Sequence, residues 1–359
     1  MKKNFHFGYP SLCELDEFSN LLKDSWDSNI ITNNGPLLQK LEKKICEVLN
    51  INNYCAVANG TIALQLAIEA LEIKGTILIP AFSWIASANA VKWQKCKVKY
   101  CDIDPKTLNI CPNSIKKNID ASTEAIMPVH IFGNPCDIKS ILSISKRYNL
   151  KVIYDAAHSF GTTFNGKSVF LYGDISCVST HATKIFNTAE GGGLICNNEN
   201  LKEKIKLLRY FGFDDDKNVI LNGINAKMSE IHAALGLANI KYFSKTLIHR
   251  KKIYSIYRNE LNNCNNIAFQ EINKGSNCSY SPIIFEDEKI CLKIQKVLMK
   301  NNVFAKRYFY PSLNNIKNLV ANEACPNSES ISKRILCLPS SNNINNEDAL
   351  FISRIIKNA

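Results

Sequence analysis

Short strand-like runs alternate with helical patterns between about residue 53 and residue 210, and no other feature of this chain constrains its fold as tightly. The runs are Thr76–Ile79, Val98–Cys101, Ala125–Met127, Val152–Tyr154, Ile175–Val178 and Leu194–Cys196. Alternation of this kind predicts an α/β domain, a mostly parallel sheet covered by helices. After Gly60, apolar residues recur at Ala63, Leu66, Ala67, Ala70 and Leu71, the spacing of a helix packed on a sheet. A second helix is expected from Lys227 to about Lys241, with Met228, Ile231, Ala234, Leu235 and Ala238 facing inward. Beyond about Ser244 the pattern changes. The basic stretch His249–Tyr254 reads as a helix leading into a smaller α+β lobe that contains Ile283–Phe285, a helix over Glu288–Lys300, and Arg334–Leu338. The expected division is therefore 1–245, a large domain, and 246–359, a small carboxyl-terminal domain.

With 359 residues, 46% of them hydrophobic, the chain is long enough to bury the cores of two lobes. The amino-terminal run Met1-Lys2-Lys3-Asn4-Phe5-His6 has no apolar h-region, and no stretch approaches the roughly 18 apolar residues of a membrane span. A cytoplasmic location, away from membranes, is expected. Fourteen cysteines are scattered singly, without a Cys-x-x-Cys pair or a Cys/His cluster at zinc spacing, which predicts reduced thiols and no metal. The net charge of +12 is dispersed rather than gathered on a basic helix, so an anionic small ligand accounts for it better than nucleic acid does.

Two residues carry the chemistry. The run Lys151–Asp155 ends on a carboxylate that enters the small-residue turn Ala156-Ala157-His158-Ser159. Residues just past the carboxyl ends of strands face the ligand crevice of an open α/β sheet. A carboxylate there can pair with the ring nitrogen of a pyridinium cofactor and keep the ring an electron acceptor. Lys184 follows 29 residues later, in Ser179-Thr180-His181-Ala182-Thr183-Lys184, where it can supply a Schiff base. Taken singly, such an aspartate reads as a helix cap and such a lysine as a surface charge; the combination is what points to a site.

Other positions fit around this pair. Asn59-Gly60-Thr61 opens a helix whose free amides and dipole face an anion such as a phosphate, although a plain Asn/Thr cap has the same sequence. Trp84, in the loop after Pro80, can stack on a planar ring or pack in the core. Ser179 can add a hydroxyl to the phosphate, and His158 can reach the phenolic edge of the ring. Glu190-Gly191-Gly192-Gly193 is expected to allow tight turns or positive φ behind the lysine. It has neither Gly-x-Gly-x-x-Gly spacing nor a following Gly-Lys-Ser/Thr, so dinucleotide and P-loop sites are not supported.

Together, residues 59–64, 80–86, 155–158, 181–184 and Asn225–Glu230 resemble the DegT/DnrJ/EryC1/StrS sugar aminotransferases, and the likeness runs from Thr32-Asn33-Asn34-Gly35-Pro36 to Leu338-Pro339. It implies the fold-type I architecture, a large seven-stranded domain plus a small one, in a homodimer with shared active sites. It also implies pyridoxal 5′-phosphate bound through Lys184, with Asp155 on the pyridine nitrogen, His158 near the ring hydroxyl and Trp84 stacked on the ring. Asn59, Gly60, Thr61 and Ser179 would hold the phosphate, with Asn225 reaching it from the partner subunit. Asn59 is a departure, since many relatives carry Ser there.

The version of the lysine motif seen here, together with Thr32-Asn33-Asn34-Gly35-Pro36 and Arg307-Tyr308-Phe309-Tyr310-Pro311, is most similar to family members that aminate C4 of dTDP-4-keto-6-deoxyglucose. A ping-pong transamination is then implied: L-glutamate leaves its amino group as the pyridoxamine form of the cofactor, and a nucleotide-linked keto sugar takes it up. Thr32, Asn33, His181, Arg307, Tyr308 and Tyr310 are the candidate substrate contacts, with Lys306 and Arg307 as cations for the diphosphate. Amination at C3, another nucleotide sugar, or a non-catalytic cofactor-binding regulator are the alternatives.

Overall fold

The computed structural model describes residues 3–319 and 323–359, so Met1 and Lys2 of the amino-terminal run lie outside it. Its centre is a seven-stranded sheet in the spatial order Cys55–Val57, Gly192–Ile195, Ile175–Ser179, Lys151–Asp155, Thr123–Ile126, Thr76–Pro80 and Lys97–Cys101. Gly192–Ile195 runs antiparallel to both neighbours, and the pairings from Ile175–Ser179 to Lys97–Cys101 are parallel. This is the α/β, fold-type I arrangement expected, and all the predicted strands of the sheet are present. One more, Cys55–Val57, escaped the sequence reading because three residues are too few to show a period.

Helices cover both faces of the sheet, which explains why its strands read as unbroken apolar runs. Side chains alternate along each strand. Leu78, Val152, Tyr154 and Val178 face the layer containing Leu41 and Ile45 of helix Pro36–Leu49, Ile141 of helix Ile138–Tyr148 and Ala234 of helix Glu230–Ile240. Ile77, Ile79, Ile153 and Cys177 face the other layer, built on Ala63, Leu66 and Ala67 of helix Gly60–Ala70 and Val91 of helix Ile85–Trp93.

Two helical expectations need correction. The helix expected from Lys227 begins at Glu230, because the Ser229 hydroxyl accepts from His232 N–H and caps it there. Ile231, expected inward, is 43% exposed on the face away from the sheet. Met228, Ala234 and Ala238 are buried as expected.

The carboxyl-terminal lobe holds the three-stranded antiparallel sheet Ile267–Phe269, Ser281–Phe285 and Ile335–Leu338, packed on helices Glu288–Lys300 and Asn346–Lys357. Position 245 falls inside one continuous helix, Phe243–Leu261, and Phe5–His6 from the amino terminus pairs with Val303–Phe304 of this lobe. An aromatic cluster joins the two sheets: Phe82, Val129 and Phe132 pack with Tyr280, Tyr308 and Phe309. All fourteen cysteines are free, ten of them buried. Among the described residues, no helix is long and apolar enough to cross a membrane, and no group of three or more His, Cys, Asp or Glu is placed to hold a metal ion.

The glycine triplet differs from expectation most instructively. Gly191, Gly192 and Gly193 have no positive φ, and Ala189 takes the left-handed turn at φ 63°. The glycines instead allow close approach. A Cβ on Gly192 would lie 2.6 Å from Asn59 C and 2.7 Å from Gly60 N, and one on Gly193 would lie 2.2 Å from the Tyr54 ring.

His130 lies at the edge of this frame, fully buried and stacked on Tyr154 at 4.6 Å, with its backbone N–H donating to Asp155 O (3.2 Å). Burial pushes its pKa down to about 3. The folded chain therefore binds a proton there more weakly than the unfolded chain, whose histidine titrates near 6.5. This contribution to stability is complete above that pH and is lost as pH falls towards 3. Between pH 7 and pH 5, His130 should cost the fold about 2 kcal/mol. Urea unfolding of the protein and of His130→Asn at both pH values measures this, and an equal pH dependence in the two would contradict it.

Candidate active site

At the carboxyl ends of the parallel strands lies a cavity of about 860 Å³. Strand Lys151–Asp155 delivers Asp155 to it, and strand Ile175–Ser179 delivers Ser179. Asp155 pairs with Cys177 in register, so Ser179 stands two residues further along the neighbouring strand, about 6.6 Å beyond Cys177. The crossover loops add Asn59, Gly60, Thr61 and Trp84, and the small lobe adds Tyr280, Lys306 and Tyr308.

Lys184 rides the loop between Ile175–Ser179 and Gly192–Ile195. Backbone bonds close that loop from Thr180 N–H to Gly191 O (2.9 Å), Thr188 N–H to Thr180 O (2.8 Å) and Ala182 N–H to Ala189 O (2.6 Å). Thr180 and Thr188 also join their hydroxyls at 2.7 Å. Lys184 Nζ donates to the Tyr280 hydroxyl at 3.3 Å. His181 lines the same cavity, with Nδ1 2.9 Å from Thr183 Oγ1 and Nε2 3.6 Å from Glu190.

Asp155 is 5% exposed, and burial pushes its carboxyl above the usual range. The Ser87 hydroxyl donating to Oδ2 (2.6 Å), the Ala157 N–H donating to Oδ1 (3.2 Å) and the charge of Lys184 each pull it back down. A cation placed against this carboxylate would keep it ionised, and the carboxylate would in turn hold a ring nitrogen protonated. His158 is buried as well, and burial first, then the charge of Lys184, hold its pKa well below the ordinary value. Phe132 N–H donates to its Nδ1 (3.3 Å), so the neutral ring carries its proton on Nε2 and can donate to an anionic oxygen.

The far end of the cavity suits a phosphate. Asn59 caps helix Gly60–Ala70 by accepting from Ile62 N–H (2.9 Å), so the Asn/Thr cap that the sequence also allowed is present. The Gly60 and Thr61 N–H groups belong to the first turn, where a helix has no internal acceptor for them. Only glycine fits at position 60, since a Cβ there would lie 2.8 Å from Ser179 Cβ. Trp84 is 47% exposed at the cavity wall, so its indole is available to a ligand. A buried carboxylate, a neutral histidine donor, an amine and an amide cradle on one cavity fit the ring nitrogen, phenolic oxygen, aldehyde and phosphate of pyridoxal phosphate.

The sequence candidates divide cleanly. His181, Tyr308 and Lys306 line the cavity, whereas Thr32, Asn33, Asn225, Arg307 and Tyr310 do not. Arg307 is turned the other way from its neighbours, donating to Glu288 Oε1 (2.6 Å) and Lys333 O (2.7 Å) with its guanidinium over the Tyr310 ring. Alternation along an extended segment puts Lys306 and Tyr308 on one side and Arg307 on the other. Thr32, Asn33 and Asn225 are exposed, and the buried Glu230 carboxylate accepts from Leu37 N–H (2.7 Å) and Leu38 N–H (2.9 Å) and ties their two segments together. Ser87 and Tyr280 were missed. Each touches a chemical residue across a long sequence interval, which no local pattern records.

Known proteins resemble this chain throughout. Over 346 residues, 94% of each chain, it is 40% identical to a dTDP-4-amino-4,6-dideoxy-D-glucose transaminase of Shigella dysenteriae. It is 30% identical to a GDP-perosamine synthase of Vibrio cholerae over 94% of each chain. The crystal structure of DesI, solved with its TDP-sugar product, superposes with a TM-score of 0.94 at 26% identity, covering 99% of this chain and 93% of that one. Residues 13–357 match a single family description, and the chain belongs to the DegT/DnrJ/EryC1/StrS aminotransferase family, whose members are pyridoxal phosphate-dependent sugar aminotransferases.

Proposed function

We propose that this enzyme moves the amino group of L-glutamate to C4 of dTDP-4-keto-6-deoxy-D-glucose, giving dTDP-4-amino-4,6-dideoxy-D-glucose. The carrying observation is the convergence of Lys184, Asp155 and the Gly60–Ser179 cradle on one cavity, in a chain 40% identical to the Shigella transaminase. Relatives that are GDP-perosamine synthases make a GDP-linked sugar the competing substrate, and their identity is lower, at 30% for the Vibrio protein.

Pyridoxal phosphate, when bound, supplies an electron sink for the carbanion left by loss of a Cα proton. Asp155 would hold its ring nitrogen protonated so that the sink stays effective. His158 Nε2–H would steady its phenolic oxygen, and Trp84 would cover its ring. Lys184 would anchor it and, with Nζ freed by the incoming glutamate, would act as the general base that takes the Cα proton. The same Nζ would deliver a proton to C4 of the sugar in the second half-reaction.

An absorbance spectrum of the reconstituted enzyme tests this. Glutamate should bleach the visible band, the keto sugar should restore it, and product NMR should find the new amine on C4. Lys184→Ala should lower turnover by at least about 10³-fold, the order expected on losing the group that transfers the proton. A visible band indifferent to glutamate would instead mark a cofactor-binding regulator, and amination at C3 or preference for a GDP sugar would replace the substrate named here.

Lys306 is the cation suited to the sugar's diphosphate. Its Nζ lies over the rings of Tyr308 (5.3 Å), Trp84 (5.4 Å) and Phe7 (6.0 Å), and among the described residues no carboxylate pairs with it. Lys306→Ala should raise KM for the nucleotide sugar about tenfold, or about 1.4 kcal/mol, with KM for glutamate little changed. Equal effects on both substrates would remove it from this role.

A second copy of the chain is the partner this reading requires. Asn225, Thr32 and Asn33 lie outside their own cavity, on a surface that also exposes Phe211, Ile224 and Ile231. Phe211 N–H donates to Ile224 O (3.1 Å) and Glu230 N–H donates to Ile31 O (3.0 Å), which makes these segments one patch. Light scattering should give the mass of a dimer, and Ile231→Lys should shift it towards monomer; a monomeric, active wild type would exclude a shared site.

A further inference from the structure

The geometry points to Tyr280 as a positioning residue: its phenol, carried by the small lobe, holds the Lys184 amine where it can reach the reacting carbon. The inference rests on the aminotransferase reading and extends it to a residue outside the sequence motifs. Among the described residues, the Tyr280 hydroxyl is the one side-chain hydrogen-bond partner of Lys184 Nζ, at 3.3 Å. A lysine has four rotatable carbons, and the step it performs is sensitive to where its nitrogen sits.

Tyr280 itself is fixed before the amine arrives. It is 6% exposed, and its ring is wedged among His158 (4.8 Å), Phe7 (5.5 Å), Phe132 (5.5 Å) and Tyr308 (5.6 Å). The next residue, Ser281, begins the strand paired with Ile335–Leu338. On the other side, Asn277 Nδ2 (2.8 Å) and Ser279 Oγ (2.9 Å) donate to His158 O, pinning the Tyr280 loop to the turn that follows Asp155. Both lobes therefore determine where the phenolic oxygen stands.

The hydrogen bond suits both protonation states of the amine. The ammonium donates to the phenolic oxygen, and because a phenol both donates and accepts, the contact can persist when the amine is neutral. Tyr280 thereby restrains the nitrogen in either state. A tyrosine serving only to fill space would need its ring and not its hydroxyl, and phenylalanine would replace it without loss.

Tyr280→Phe keeps the ring and removes the oxygen. Two rates should fall: capture of pyridoxal phosphate by Lys184 of the apoprotein, followed as the visible band in a stopped-flow, and the single-turnover reaction with saturating L-glutamate. Each should drop by about 10- to 100-fold, the range produced by a misplaced reacting group, with the dissociation constant of the cofactor changed less than about twofold. The deuterium isotope effect with α-deuterated glutamate should increase as proton transfer becomes limiting. Tyr257→Phe removes another buried phenol of the small lobe, bonded to Pro339 O at 2.7 Å, and measures the effect of weakening the lobe alone. Wild-type capture rate and isotope effect in Tyr280→Phe, or changes no larger than those of Tyr257→Phe, would overturn the proposal. If the wild type fails to react with glutamate the aminotransferase reading falls, while the capture rate still decides the role of Tyr280.

Discussion

The site depends on one close backbone approach, where the antiparallel strand Gly192–Ile195 lies between Cys55–Val57 and Ile175–Ser179. Gly192 stands opposite both Val57 and Ser179, and no side chain fits there because Asn59 and Gly60 occupy the space a Cβ would need. Gly60 in turn has no room for a Cβ against Ser179. Glycines on two distant segments thus let a helix amino terminus settle directly on a strand end, and a cradle of free backbone N–H groups is the result. Lys184 is placed by the same contact, since its loop begins at Ser179 and ends at Gly192.

Burial then sorts the ionisable groups. Asp155 is buried where its charge is disfavoured, yet Ser87 and the Ala157 N–H are aimed at its oxygens, so it is prepared for a cation rather than neutralised in place. His158, a few residues on, is pushed the other way and stays a neutral donor. One strand end thereby presents an acceptor and a donor to the same cavity, an asymmetry that comes from their partners because both residues are buried.

Much of this was legible in the sequence, for physical reasons that also mark where legibility stops. Strands buried on both faces are apolar throughout, so Thr76–Pro80 and Lys151–Asp155 stand out, whereas the three residues of Cys55–Val57 cannot. Asp155 was visible because a carboxylate at a strand end needs a reason, and Lys184 because it stands in a motif just ahead of the glycine triplet. The glycine triplet was seen but misread: a sequence shows that a side chain is missing, while only the packing shows whether torsional freedom or space is what its absence provides. Arg307 was misplaced for a similar reason, because alternation on an extended segment decides which of two neighbouring cations meets the cavity. Ser87 and Tyr280 act across 68 and 96 residues of chain; the partner of Ser87 becomes apparent only when the large sheet is assembled, and that of Tyr280 only when the lobes are docked.

That docking imposes the last constraint. On the proposed reading, a single cavity must accept a small amino acid and then a much larger nucleotide sugar, and both are anions. About 860 Å³ is near the upper end of ordinary ligand sites and leaves most of the space empty around glutamate. The reacting end cannot therefore be aligned by a tight fit to either substrate, and it has to be rigid by itself. The cluster of Phe132, His158, Tyr280 and Tyr308 supplies that rigidity from both lobes, while Trp84 and Lys306 at the wall keep substantial exposure and can meet different partners. A fixed reacting centre with an adaptable rim is what the alternation of two dissimilar substrates on one lysine demands, and here the division follows the change from buried to exposed residues.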